Sequence, residues 1–325
     1  MDVYHGLKNV RPQMNYQHGM PVLRGDNIAR YDCNGDIMRL SAKHITSSDK
    51  ARHGVPKLVF QQIVAHVTKP APRIILMGWY DPNGAIIFET LNTFRLKPHV
   101  LASPLFYLAI LNSRFMAWYV HRFVFNLSVR TMMFRVGYVE GIPLPRVAAC
   151  VQQGNGTVSP EQEQAVGPWV ESEIPGGNDG VPPRAHDYVV SSAQRMLYLN
   201  SQLRGALGRF LSAAEGQTHV SLADTLSKMS VVDFFKTDVA NSLFPTFEEA
   251  IGPIQRAGLR KARSTTGGLR QGPIHDAYQR LLDEAGPMRE ELMATDARID
   301  QIVHNVYHLT EEDLALIYGD ARASD

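Results

Sequence analysis

Short apolar runs separated by turn-forming residues dominate the first 150 residues, and this pattern predicts strands and turns. Runs rich in β-branched and aromatic residues occupy 56–67, 73–80 and 84–94. Between the last two lies Asp81-Pro82-Asn83-Gly84, a predicted turn, because proline presets φ and Asn-Gly tolerates positive φ. We therefore predict that the second and third runs form a β-hairpin.

One helix is predicted within this strand-rich part. Ser103 and Pro104 form a cap and first-turn pair, and broad apolar spacing up to about residue 124 indicates a mostly buried helix. A short strand ending in a proline turn is predicted at 134–145.

The pattern changes after residue 147. Up to 186 the chain is rich in Gly, Pro, Gln and Glu, which is typical of a linker or a disordered insertion. Amphipathic helices are predicted at about 187–213 and 275–307. Capping pairs that mark helix starts are Ser221 with Asp224, Thr246 with Glu249, and Thr310 with Asp313. The predicted fold class is α+β, with a strand and helix domain at 1–148, a linker at 149–186 and a helical domain at 187–325.

Charge is divided unevenly between the two halves. Residues 1–150 carry 18 Lys or Arg against 8 Asp or Glu, whereas residues 151–325 carry 15 against 24. A basic half is typical of a polyanion-binding surface, although unevenly charged domains are also common in enzymes.

The composition excludes collagen-like, wholly disordered and disulfide-scaffold proteins. Two cysteines, Cys33 and Cys150, lack metal-ligand spacing, and no apolar stretch is long enough to span a membrane. The opening segment has no apolar core for export. We therefore expect free thiols in a reducing cytoplasm.

Known catalytic motifs are missing from the sequence. It contains no GxxxxGK[ST] phosphate loop, GxSxG elbow, HExxH or CxxC motif. His304 and His308 are four residues apart, but without a third ligand a surface or partly buried pair is favoured over a metal site. We expect no metal and no self-sufficient active site.

Several blocks together resemble a known family. They are PVLRGDNIARY at 21–31, PKLVFQQI at 56–63, LAILNSRFMAWYV at 108–120, VRTMMFRVGYVEGIPLP at 129–145 and ARIDQIVHNVYHLTEEDLALI at 297–317. Their order resembles the TaqI-like C-terminal specificity domain, the target-recognition domain of adenine-specific DNA methyltransferases and of fused restriction-methyltransferase enzymes.

The resemblance implies sequence-specific recognition of double-stranded DNA. In that family a methyltransferase domain supplies the S-adenosylmethionine loop and an Asn-Pro-Pro-Tyr/Phe motif for the flipped adenine; this chain has neither. We expect no cofactor on this chain. It is interpreted as a specificity subunit, or the C-terminal piece of a split or truncated enzyme, serving a methyltransferase partner in restriction-modification or phage exclusion.

Candidate DNA contacts are polar side chains within and between the apolar runs. Cations suit phosphates, and Arg, Asn and Gln also suit base edges. The candidates are Arg24, Arg30, Arg52, Lys57, Gln61, Gln62, Lys69, Arg73, Asn83, Asn92, Arg95, Arg130 and Arg135.

Two other functions stay open at this point. The chain could be a protein-interaction module that docks on or regulates a methyltransferase complex without reading DNA. An enzyme with unrecognised catalytic residues is the third interpretation, and no known motif spacing supports it. The acidic helices are expected to dock the methyltransferase subunit, or else to form an intramolecular bundle.

Charge reversal at Arg130 and Arg135 is expected to weaken DNA binding without unfolding the chain, because both would act as phosphate or base contacts. Duplex titration and circular dichroism of the double variant check this. Unchanged binding by a folded variant would contradict it.

Overall fold

A computed structural model describes residues 1–34, 37–67, 73–128, 132–134, 136–139, 141–147, 180–218, 230–237, 242–252 and 271–318. Small sheets fill the N-terminal part and long helices the C-terminal part, which confirms the predicted α+β class.

The strands lie within the first 133 residues. They are β1 (Asp2–His5), β2 (Met14–Asn15), β3 (Met20–Leu23), β4 (Ile28–Ala29), β5 (Asp32–Cys33), β6 (Met38–Leu40), β7 (Lys57–Gln61), β8 (Ile63–Val67), β9 (Arg73–Ile75), β10 (Gly78–Asp81), β11 (Ile86–Ile87), β12 (Leu91–Arg95) and β13 (Met132–Met133).

The helices follow a similar division into short and long elements. They are α1 (Ser47–His53), α2 (Pro104–Asn112), α3 (Arg114–Tyr119), α4 (Val136–Val139), α5 (Pro183–Thr218), α6 (Val231–Phe235), α7 (Gln271–Val306) and α8 (Glu311–Tyr318), with a π-helical turn at Val120–Val124 and 3-10 turns at Arg11–Gln13, Gly25–Asn27 and Ala42–His44.

Two four-stranded sheets organise the N-terminal part. The main sheet is antiparallel in the order β1-β12-β7-β10, so β1 is an edge strand. The second sheet has the order β11-β3-β6-β2, with β11 parallel to β3. A smaller sheet has the order β13-β8-β9.

The hairpin predicted from 73–80 and 84–94 is wrong, although its turn forms. The Asp81 carboxylate accepts the Asn83 N–H at 3.0 Å, and Gly84 has a φ of +70°. The chain then enters β11, which pairs with the second sheet. Strand β7 separates β10 from β12, because it pairs with both.

The continuous strand predicted at 56–67 is interrupted at Gln62. The Gln62 N–H donates to the Thr90 carbonyl at 2.9 Å, and its carbonyl accepts from the Phe134 N–H at 2.6 Å. These bonds end β7 and direct β8 into the smaller sheet. The strand predicted at 134–145 is also wrong, since Val136–Val139 is helical.

The helix predicted from Ser103 starts as expected but is not continuous. The Ser103 hydroxyl accepts the Leu105 N–H at 3.2 Å, and Pro104 is the first helical residue. Ser113 then adopts an extended ψ of 157°, and its hydroxyl accepts the Met116 N–H at 3.2 Å to start α3. One side chain therefore ends one helix and caps the next.

The long helices match the amphipathic prediction and extend beyond it. α5 and α7 pack against each other and against α2, so their apolar faces join the core of the N-terminal part. The caps predicted at Thr246 and Thr310 are confirmed, and the Ser221 pair lies outside the described residues. The predicted linker at 149–186 also lies mostly outside them, although α5 already begins at Pro183.

Two ion pairs hold the segment 24–34 against the long helices. Arg30 donates to both carboxylate oxygens of Asp296 on α7, at 2.7 and 2.5 Å, and to the Asn112 carbonyl at 2.9 Å. Asp32 accepts from Arg204 on α5, with an Nε to Oδ1 distance of 3.0 Å. We call these two pairs the ionic clamp.

A second carboxyl group, Asp300, is buried beside the clamp. It accepts the Arg114 N–H at 2.9 Å. Burial and the neighbouring Asp296 charge raise the pKa of Asp300 to about 6, while Arg30 opposes the shift.

Replacing Arg30 with Met is expected to lower the free energy of unfolding by about 3–5 kcal/mol, because Asp296 would remain buried without its cation. Urea unfolding measures the loss. The matched control is Arg209→Met, which removes an exposed pair with Glu284 and should cost less than about 1 kcal/mol. Equal losses in both variants would contradict the clamp.

Asp300→Asn is expected to remove a pH-dependent part of the stability. Because the folded-state pKa of Asp300 lies above the ordinary value of 3.8, this group stabilises the fold at low pH and the contribution is lost as the pH rises from about 4 to 6. Urea unfolding across that range should give a flatter profile for Asp300→Asn than for the wild type. Asp276→Asn, at an exposed position of the same helix, should keep the wild-type profile.

Candidate nucleic-acid interface

An open groove follows the edge strand β1 and the residues after it. Its volume is about 590 Å³. It is lined by Val3, Tyr4, His5, Gly6, Leu7, Lys8, Val10, His44, Asp49 and Arg52. We call it the β1 groove.

Helix α1 forms the opposite wall of the β1 groove. Thr46 caps this helix: its hydroxyl accepts the Asp49 N–H at 3.1 Å, and the Asp49 carboxylate accepts the Thr46 N–H at 3.0 Å. This reciprocal capping box fixes where the helix starts. Arg52 lies in its last turn, with its guanidinium 5.7 Å from the centre of the Tyr4 ring.

Arg95 connects α1 to the main sheet. Its Nη1 donates to the Ala51 carbonyl at 2.8 Å, and its Cα pairs with Asp2 of β1. Arg95 therefore links the helix that carries Arg52 to the main sheet.

The β1 groove has a basic lining. Lys8 and Arg52 are exposed cations, and Asp49 is the one carboxylate among the described lining residues. The Asp49 carboxylate already accepts the N–H and the hydroxyl of Thr46 at the start of α1, so Lys8 and Arg52 dominate the charge of the groove. Such a surface attracts phosphate groups.

His53 lies under the groove wall and adds no charge to it. Its Nδ1 is 3.1 Å from the Thr93 hydroxyl. Burial, with a further contribution from Lys57, lowers the pKa of His53 to about 4. The imidazole is therefore neutral at physiological pH.

Two predicted base-reading amides, Gln62 and Asn92, are buried next to His5 of the β1 groove. Gln62 Nε2 is 3.5 Å from His5 Nδ1. Asn92 is paired in register with His5 and donates to the Phe134 carbonyl at 2.5 Å. Its Oδ1 is buried without a hydrogen-bond partner among the described residues.

Three further predicted contacts are also held inside the fold. The side chain of Lys57 is 0% exposed; it pairs with Asp81, and burial lowers its pKa while Asp81 opposes the shift. Gln61 donates to the Gly25 carbonyl at 2.7 Å, and Arg30 forms part of the ionic clamp. None of these groups is presented to a phosphate in this structure.

The other predicted residues are dispersed. Arg24 pairs with Asp26 at 2.9 Å, and Asn83 is exposed in the turn after β10. Arg73 lies in β9, where only its backbone is described. Lys69, Arg130 and Arg135 lie outside the described residues, so their DNA contacts stay predictions.

Sequence reasoning missed most of the β1 groove. Lys8 and His44 are not among the predicted contacts, and Lys43 and Lys50 are exposed on the segments that carry His44 and Arg52. The Thr46 and Asp49 spacing was the available signal, because it predicts a short helix bearing two cations.

Residues 20–144 match the TaqI-like C-terminal specificity domain. This confirms the resemblance for that segment and supports a DNA-recognition role in a methyltransferase-type system. No curated protein and no solved structure matches the chain.

The specificity-domain segment covers only part of the basic region. It includes α1 and β12 but begins after β1, and it ends before the long helices. The resemblance of 297–317 falls outside it and stays a prediction. Edge strand β1 therefore lies outside the matched segment.

Other classes of site find little support in the described ranges. They contain no cluster of three potential metal-ligating side chains, and none of their helices is apolar over a length sufficient for crossing a bilayer. Cys33 is a free thiol. Burial, and to a smaller extent the Asp32 charge, raise its pKa to about 12.

Proposed function

We propose that this protein recognises a specific double-stranded DNA sequence for an adenine-N6 DNA methyltransferase in a restriction-modification or phage-exclusion system. It acts as a specificity subunit or as the C-terminal piece of such an enzyme. The observation that carries the proposal is the match of 20–144 to a specificity domain; the basic β1 groove, whose α1 wall belongs to that segment, supports it.

Phosphate binding is the first step that the groove supports. Lys8 and Arg52 approach the phosphates of one strand, and their neutralisation releases counterions, which makes the affinity dependent on salt. These contacts set the register of the duplex but carry no sequence information. Base-edge contacts come from other side chains, since Gln62 and Asn92 are buried.

The long helices α5 and α7 are connected to the main sheet through segment 24–34. The ionic clamp attaches segment 24–34 to both of them, and that segment accepts two hydrogen bonds from Gln61 of β7. The apolar faces of α5 and α7 are buried against each other and against α2, so a methyltransferase subunit that docks on these helices uses their outer faces.

Methyl transfer is assigned to the partner. We propose that S-adenosylmethionine binds to the methyltransferase subunit, and that the complex works in the reducing cytoplasm. Cys33 is compatible with this location, since its thiol is unpaired.

Charge reversal in the β1 groove tests the proposal. The Lys8→Glu, Arg52→Glu double variant should weaken duplex binding and lower the slope of log affinity against log salt by about two, since two phosphate contacts are lost. Fluorescence anisotropy of a labelled mixed-sequence duplex across a salt series provides the measurement.

The matched control is Arg280→Glu, an equal charge change per residue at an exposed site of α7; it should leave the slope unchanged. If the wild-type chain binds no duplex at any salt concentration, DNA recognition is contradicted. Capture of a methyltransferase subunit in that case would favour the interaction-module alternative.

A further inference from the structure

An aromatic ring contacts the cation that Arg52 contributes to the β1 groove. The Arg52 guanidinium lies 5.7 Å from the centre of the Tyr4 ring, and both side chains line the groove. Among the described residues, no hydrogen bond or ion pair engages that guanidinium. A guanidinium stacks on a ring through its flat face, whereas its N–H donors point outwards in the plane of the group. The donors of Arg52 are therefore available to an anion while the ring contact is kept.

Strand β12 determines where the ring and the cation stand relative to each other. Tyr4 of β1 is paired in register with Thr93 of β12. The Thr93 hydroxyl is also 3.1 Å from Nδ1 of His53, the residue after Arg52. Residues directly opposite each other in a sheet present their side chains on the same face. Tyr4 therefore stands on the face that Thr93 uses to contact α1.

Two further cations attach the last turn of α1 to the main sheet. Arg95 Nη1 donates to the Ala51 carbonyl at 2.8 Å, and Lys57 Nζ donates to the His53 carbonyl at 2.6 Å. Carbonyl groups at the end of a helix lack partners within the helix, and cations there also interact favourably with the helix dipole. The backbone that carries Arg52 is thus fixed to β7 and β12.

The remaining freedom of Arg52 lies in its own long side chain. An arginine that is ordered only on binding loses rotamer freedom at that moment, which weakens the interaction. The Tyr4 ring restrains the guanidinium before any ligand arrives, so part of this loss is avoided.

We infer that Tyr4 is a positioning residue, which holds Arg52 ready to donate paired hydrogen bonds to one phosphate group of the recognised DNA. This inference rests on the proposed function and deepens it. The planar fork of arginine matches two oxygens of a phosphate. Tyr4 precedes the segment matched to the specificity domain, so the family match assigns it no role.

A double-mutant cycle tests whether the ring acts through Arg52. Tyr4→Leu should weaken binding of a labelled duplex about two- to fivefold, the size of an exposed cation–π contact. In an Arg52→Gln background the same change should have no further effect, because the guanidinium is already absent. Fluorescence anisotropy measures the affinity of each variant, and thermal unfolding verifies that each one is folded.

The chain offers a matched control for the loss of an arginine–tyrosine contact. The Arg195 guanidinium lies 5.0 Å from the centre of the Tyr198 ring on α5, and neither residue lines the β1 groove. Tyr198→Leu should therefore keep the wild-type affinity for DNA.

Changes that keep the shape of the ring separate its electrostatic effect from its packing. Tyr4→Phe should retain most of the affinity, since the π face remains. Phenylalanine analogues with increasing ring fluorination at position 4 should weaken binding step by step, because fluorine withdraws the negative charge of that face. Equal affinity throughout the series would contradict a cation–π role.

The paired hydrogen bonds are tested on Arg52 and on the DNA. Arg52→Lys should weaken binding but leave the salt slope unchanged, since the charge remains and the fork is lost. In a duplex selected by the wild-type chain, a single neutral methylphosphonate is placed at each phosphate in turn. It should weaken wild-type binding at one position where it has no effect on Arg52→Gln.

The outcomes distinguish this inference from the function on which it rests. A wild-type chain that shows no salt-dependent binding to any duplex overturns both. Salt-dependent binding that Tyr4→Leu leaves unchanged overturns only the role of Tyr4. A loss of equal size with and without Arg52 also overturns it, because the ring would then act by a route of its own.

Discussion

The ionic clamp is the constraint on which the rest of the architecture depends. Arg30 and Asp32 lie two residues apart, and each pairs with a different long helix. Charges at such depth are tolerated only with their partners in place, because removing one partner leaves the other desolvated. Segment 24–34 therefore has one position relative to the helices. The Gly25 and Ile28 carbonyl groups of this segment accept hydrogen bonds from Gln61 of β7, an inner strand of the main sheet.

The β1 groove is formed by parts of the chain that lie far apart in sequence. One wall is the first strand, the other is a short capped helix around residue 50, and Arg95 connects that helix to the sheet. Lys8 and Arg52 are exposed cations, whereas Lys57 and Arg30 are buried in ion pairs. The excess of basic residues in the N-terminal half thus has two physical uses, and only the exposed part can attract a polyanion.

Local signals in the sequence predicted the local structure well. Ser103, Thr246 and Thr310 cap helices as their spacing indicated, and Gly84 has the positive φ that its turn required. Pairing between distant segments was harder, since β7 separates two runs that a short turn suggested would pair. The burial of Lys57 was also out of reach, because its partner Asp81 lies 24 residues away. The exposure of Lys8 could not be predicted either, because it depends on the position of the edge strand β1 that precedes it.

The position of β1 at the border of its sheet has a further consequence. An edge strand exposes a row of backbone donors and acceptors that a second copy of the chain can extend, which is a common route to aggregation. Lys8 and Arg52 stand beside that row, so two copies approaching edge to edge would bring like charges together. The side chains proposed to bind a nucleic acid would thereby also disfavour such edge-to-edge pairing.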